Sequence, residues 1–164
     1  MTDAEVYSGA ALMGVASGMR SLASPAIISQ LARSGLAPVN HSPLAFLNNP
    51  LTAKTAAVLA VGELVVDKLP FTPSRTKAPL LVTRVISGAV GGAAVCSAKR
   101  RSLFVGALLG AAAAVGASYG TYHLRRWAGK KLNLPDPIVA VVEDVLVVGC
   151  AAVVLSAARK ADEE

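Results

Sequence analysis

The chain has 164 residues, 54% hydrophobic, 16% charged and 4% aromatic, with a formal net charge of +6. A mean hydropathy of +0.55 is too high for a soluble domain of this size and selects a polytopic membrane protein. Five apolar segments of about 20 residues each are long enough to span a bilayer and leave no room for a separate soluble domain.

The acidic start from Met1 to Glu5 lacks a basic n-region, so the first segment, 9–31, reads as a retained span and not a cleaved signal. It holds Arg20 and Pro25, and the proline predicts a kink or break at about Ser24. Turn residues in Asn40-His41-Ser42-Pro43 and Asn48-Asn49-Pro50 close this unit. The second segment, 51–69, carries Glu63 and Asp67 at i, i+4 on one helix face. The third, 79–98, carries Arg84, and the fourth, 102–123, is Gly- and Ala-rich. After the turn Leu134-Pro135-Asp136-Pro137, the fifth segment, 137–158, carries Glu143 and Asp144. The expected fold is an all-α transmembrane bundle of about five spans, forming one integral membrane domain over residues 1–164.

Glycines recur at four-residue spacing in Gly14/Gly18, Gly88/Gly92, Gly106/Gly110 and Gly116/Gly120, which lets helices approach closely and could also support a homo-oligomer. A weak echo links Val58–Glu63 with Ile138–Glu143, and Leu12–Gly14 with Leu108–Gly110. It suggests an inverted two-helix repeat around a central helix, against the plainer reading of shared apolar composition. Basic residues collect at span ends, as in Lys99-Arg100-Arg101, Arg125-Arg126 and Lys130-Lys131, so the lipid bilayer and not nucleic acid is the expected partner. Their numbers balance on the two faces, which leaves orientation open and allows a dual-topology pair. His123, among Tyr119, Tyr122 and Trp127, reads as part of an interfacial belt.

A charge near the bilayer centre is costly, so intramembrane ionisable groups face one another or a wet cavity. Tracing chain direction through five spans gathers Arg20, Glu63, Asp67, Arg84, Glu143 and Asp144 into one half of the membrane, on the side of the N-terminus and the 70–77 loop. Two arginines against four acids would leave an acidic cavity suited to a proton, a metal cation or a cationic solute. The competing reading is structural: ion pairs that fix helix register and near-interface groups that snorkel to water. Cys96 and Cys150 have no metal or redox spacing. No nucleotide loop, zincin helix, nucleophile elbow or heme motif is present, so neither a cofactor nor enzymatic chemistry is expected, and no dedicated metal site.

The strings Gly18-Met19-Arg20-Ser21-Leu22-Ala23-Ser24-Pro25-Ala26 and Gly62-Glu63-Leu64-Val65-Val66-Asp67-Lys68-Leu69-Pro70, followed by Thr72-Pro73-Ser74-Arg75-Thr76, resemble the small integral membrane proteins grouped as domain of unknown function 4126. Arg84 to Gly92 and the Leu134–Pro137 turn leading to Glu143-Asp144 are similar to that family as well. The resemblance implies a polytopic helical membrane protein and places all six charged residues within family motifs, without supplying an activity. A small transporter or channel for a cation or cationic solute is the leading expectation, in the cytoplasmic membrane if the source is bacterial. A non-transporting scaffold or assembly subunit is the alternative.

Overall fold

The computed structural model describes residues 2–40, 42–66, 78–131 and 136–163, and among these it is helical without strands. The order is α1 (Asp3–Met19), α2 (Ala23–Arg33), a short 3-10 helix (Ala45–Asn48), α3 (Pro50–Val66), α4 (Ala78–Ala98), α5 (Leu103–Lys131) and α6 (Asp136–Glu163). Among the described residues, three helical stretches are long and apolar enough to cross a membrane: Pro79–Ala98, Leu103–Lys131 and Ile138–Lys160. Leu51, Val58, Val61, Phe104, Leu108, Val145 and Val148 are all more than half exposed or close to it on the outer helix faces. So much exposed apolar surface suits lipid and not water.

The first apolar segment is not one span. α1 ends at Arg20, whose backbone is extended (φ −136°, ψ 115°), and α2 begins three residues later and folds back along it. The Ser24 hydroxyl donates to the Met13 carbonyl, and farther along α2 Ile28 and Leu31 share a cavity wall with Leu12, Gly9 and Glu5. α1 and α2 are thus a helical hairpin with its tip at Arg20–Leu22. The expected break at Ser24 lies four residues earlier, at Arg20. Pro25 sits instead in the first turn of α2, where its missing N–H is not needed.

The hairpin tip also changes the sidedness expected from sequence. Asp3 pairs with Arg101 in the α4–α5 turn, so the N-terminus lies at that end of the bundle and not beside the C-terminal end of α3. Glu5 is tied back there in a capping box with Thr2, whose backbone N–H and hydroxyl hold its carboxyl below the ordinary carboxylate value. The expected two-helix repeat is not displayed, because segment one is a hairpin while segment four is a single 29-residue helix.

α1, α4 and α5 form the centre, with backbones in direct contact. A Cβ at Gly14 or Gly88 would collide with the Gly110 carbonyl, and one at Gly92 with the Gly106 carbonyl. No residue but glycine fits these crossings without moving a helix. Gly116 and Gly120 have nothing within 4 Å of an added Cβ, so of the four spaced pairs theirs alone stays open to a second chain. α6 packs on the outside of α1 and α5, and α3 packs only on α2 and the 3-10 helix among the described residues. Among the described residues no close backbone contact joins α3 to α6, and the cavity between them leads to the hairpin tip.

Candidate site at the hairpin tip

Breaking a helix inside an apolar bundle exposes the last carbonyls of α1 and the first N–H groups of α2, and each needs a partner. The sequence-selected charges supply them. Arg84 is 2% exposed, and its Nη1 donates to the Gly18 carbonyl at 3.0 Å while its Nε donates to the Ser21 hydroxyl at 3.4 Å. The Ser118 hydroxyl donates to the same Gly18 carbonyl at 3.1 Å. On the other side of the break, the backbone N–H groups of Ser21 and Leu22 donate to Glu63 Oε1 and Oε2 at 2.8 and 3.1 Å. A cation thus sits at the negative end of α1 and an anion at the positive end of α2, as the helix dipoles favour.

Two ion pairs, each with one partner buried and the other partly exposed, attach α6 to this arrangement. Arg20, 4% exposed, donates from Nε to Asp144 Oδ1 at 2.7 Å, and its Nη2 meets the same oxygen. Glu143, fully buried, accepts from Arg125 Nε at 2.6 Å and from Nη2 at 2.7 Å in a bidentate pair. Glu143 and Asp144 are neighbours in sequence and so point to different sides of α6, one toward α5 and the other toward the hairpin tip.

Five of the six sequence-selected residues, Arg20, Glu63, Arg84, Glu143 and Asp144, are placed around the tip or one step from it. Asp67 lies outside the described residues. The residue that sequence reasoning missed is Arg125, which with Arg126 reads in sequence as a basic pair anchored among headgroups at a span end. A signal existed: Gly106, Gly110, Ala114, Ser118, Thr121 and Ala128 are buried on α5, and Arg125 continues that stripe at helical spacing. With Arg125 included, the described members of the cluster are three arginines and three carboxylates, and Asp67, the fourth acid of the expected set, lies outside the described residues.

A cavity of about 230 Å³ between α2, α3 and α6 is lined by Arg20, Glu63 and Asp144 at its polar end and by Ala23, Ile27, Ala60, Val147 and Ala151 elsewhere. Glu143 does not line it. Among the described residues its charged lining is two carboxylates and one guanidinium. Among the described residues no group of three or more His, Cys, Asp or Glu side chains is placed to hold a metal ion.

The family profile described as "Domain of unknown function (DUF4126)" matches residues 8–159. The chain belongs to this family. Every described charged residue of the tip cluster falls inside the matched region, as do α2 and α1 from Ser8 onward. Comparison with curated proteins and with solved structures returns no significant match.

Proposed function

We propose that this DUF4126 member is a small membrane transporter or channel for a proton, a metal cation or a small cationic solute, acting at the hairpin tip. The observation that carries this reading is the cavity between α3 and α6, which reaches two carboxylates and a broken helix in the bundle interior. Broken helices whose ends face a cavity are the usual way a membrane protein builds a binding site without leaving backbone groups unpaired. Asp144 is the exchangeable carboxylate, because its side chain is 22% exposed while its partner Arg20 is 4% exposed. A cation or proton arriving at Asp144 would release Arg20, and Glu63 would hold the tip in register through its backbone bonds. Glu143 leaves the binding set and becomes a structural ion-pair partner of Arg125.

The test is flux in proteoliposomes, with proton, sodium, potassium and a small organic ammonium ion as probes. Asp144→Asn is expected to reduce flux at least tenfold while leaving the detergent-solubilised protein folded, since the amide keeps an acceptor for Arg20. Unchanged flux in Asp144→Asn, or no flux of any probe through the wild-type chain, rejects the proposal. A second reading, a non-transporting scaffold, draws support from the bidentate Arg125–Glu143 pair and from Arg84 on the Gly18 carbonyl, both of which serve packing. It expects Arg20→Ala to abolish folding or assembly with no flux to lose.

A further inference from the structure

The walls of the hairpin-tip cavity are as informative as its charges. Apart from Arg20, Glu63 and Asp144, its described lining is alanine, valine and isoleucine, with no hydroxyl or amide side chain. Its mouth opens on the outer, lipid-facing surface. Val148, in the lining, is 67% exposed and lies near the midpoint of the apolar stretch Ile138–Lys160, whereas Arg20 at the polar end is 4% exposed. A solute therefore meets apolar side chains at mid-depth before it meets a charge. At the inner end the acceptors are nearly all engaged. Both oxygens of Glu63 take backbone N–H groups, and Arg20 meets Asp144 through Oδ1, while Oδ2 accepts no hydrogen bond among the described residues.

We propose that this cavity takes an amphiphilic organic cation, a primary ammonium joined to a compact apolar body, which enters sideways from the bilayer between α3 and α6. The ammonium sits on Asp144 Oδ2 and the apolar body lies against Ala60, Ala151 and Val148. An inorganic cation exchanges its hydration shell for a set of oxygen ligands, and apolar walls around two engaged carboxylates are a poor source of them. An ammonium with an apolar body needs one charge-assisted hydrogen bond and a slot that removes the rest from water. The size agrees: an apolar cavity of about 150 Å³ already holds a benzene molecule, so about 230 Å³ admits a ring with a short aminoalkyl arm. The depth of Val148 excludes a lipid headgroup, which stays at the interface. The proposal rests on the reading of the tip as a cation site and adds the chemical class of the cation.

The experiment is isothermal titration calorimetry of the full chain in detergent micelles with phenethylammonium, methylammonium, sodium and the uncharged 2-phenylethanol, each corrected with protein-free micelles. Phenethylammonium is expected to bind about tenfold or more tighter than methylammonium, because its ring leaves water. It should exceed 2-phenylethanol by about tenfold as well, because the alcohol forms no charge-assisted bond. Ala151→Leu, which narrows the cavity from α6 and leaves the charges in place, should remove the advantage over methylammonium, and Asp144→Asn should remove the advantage over the alcohol. Methylammonium or sodium binding as tightly as phenethylammonium overturns the amphiphilic assignment and leaves a cation site standing. A folded Ala151→Leu variant that keeps the full advantage overturns it too. Equally tight binding of 2-phenylethanol, or no binding of any cation, overturns the cation reading together with it. Should Ala151→Leu fail to fold, the ranking of the probes on the wild-type chain decides.

Discussion

Arg125 and Arg126 are adjacent in sequence and opposite in circumstance. Arg125 turns inward to a carboxylate with no exposure, whereas Arg126 is exposed. Removing one member of a buried ion pair strands the other in a medium of low dielectric, which costs about 3–5 kcal/mol. Arg125→Ala is therefore expected to destabilise by about that amount and Arg126→Ala by less than about 0.5 kcal/mol. Thermal melting in detergent micelles checks both. The double variant Arg125→Met with Glu143→Leu should recover most of the loss, because replacing both charges leaves neither unpaired. If the double variant melts as low as Arg125→Ala, the pair does something other than neutralise charge.

At the scale of elements, the hairpin and the glycine crossings set the architecture. Glu63→Ala would leave the N–H groups of Ser21 and Leu22 without their acceptor, at about 1–3 kcal/mol for each buried group. Amide hydrogen exchange should then quicken at Ser21 and Leu22 while α5 stays protected, since the loss is local. Pro25→Ala is expected to leave the hairpin in place, because the turn is held by Arg84 and Glu63 and not by the proline. In the central layer, Gly110→Leu would drive α1 and α4 away from α5, and it should lower the melting temperature sharply or prevent monodisperse purification. Gly116→Leu, on the open face of the same helix, should melt within a few degrees of the wild type. Equal effects of the two substitutions would contradict the close crossings.

For the molecule as a whole, the hairpin changes the parity of the chain. Five continuous spans would put the two termini on opposite sides of the membrane. With α1 and α2 entering and leaving at the same end, and α3 to α6 alternating in direction, both termini lie at the end marked by Asp3, Arg101 and Lys160. Reporters fused at either end are thus expected to be active in the same compartment. Activity in opposite compartments would restore five crossings and refute the re-entrant hairpin. This arrangement also separates the two cavities, with the charged one at the hairpin tip and the apolar one, walled by Leu12, Ile28 and Leu31, near the termini.

Composition and spacing by themselves pointed to an all-helical chain with helices apolar enough to cross a membrane and picked out five described residues of the charged cluster, while the family was legible in its motif strings. They could do so because an ionisable group in an apolar helix is conspicuous in one dimension. The glycines at 14, 88, 92, 106 and 110 were likewise legible as close-contact positions, since only the absence of a side chain permits backbones to meet. What sequence could not decide was where the first helix breaks and which charges pair. A proline marks a place where a helix tolerates interruption, but Arg20–Leu22 is the actual turn because Arg84, on α4, and Glu63, on α3, satisfy the backbone groups exposed there. Those partners lie more than 40 residues away along the chain. Only the tertiary structure brings them together, and with them it decides that Glu143 faces Arg125 and that Asp144 faces Arg20.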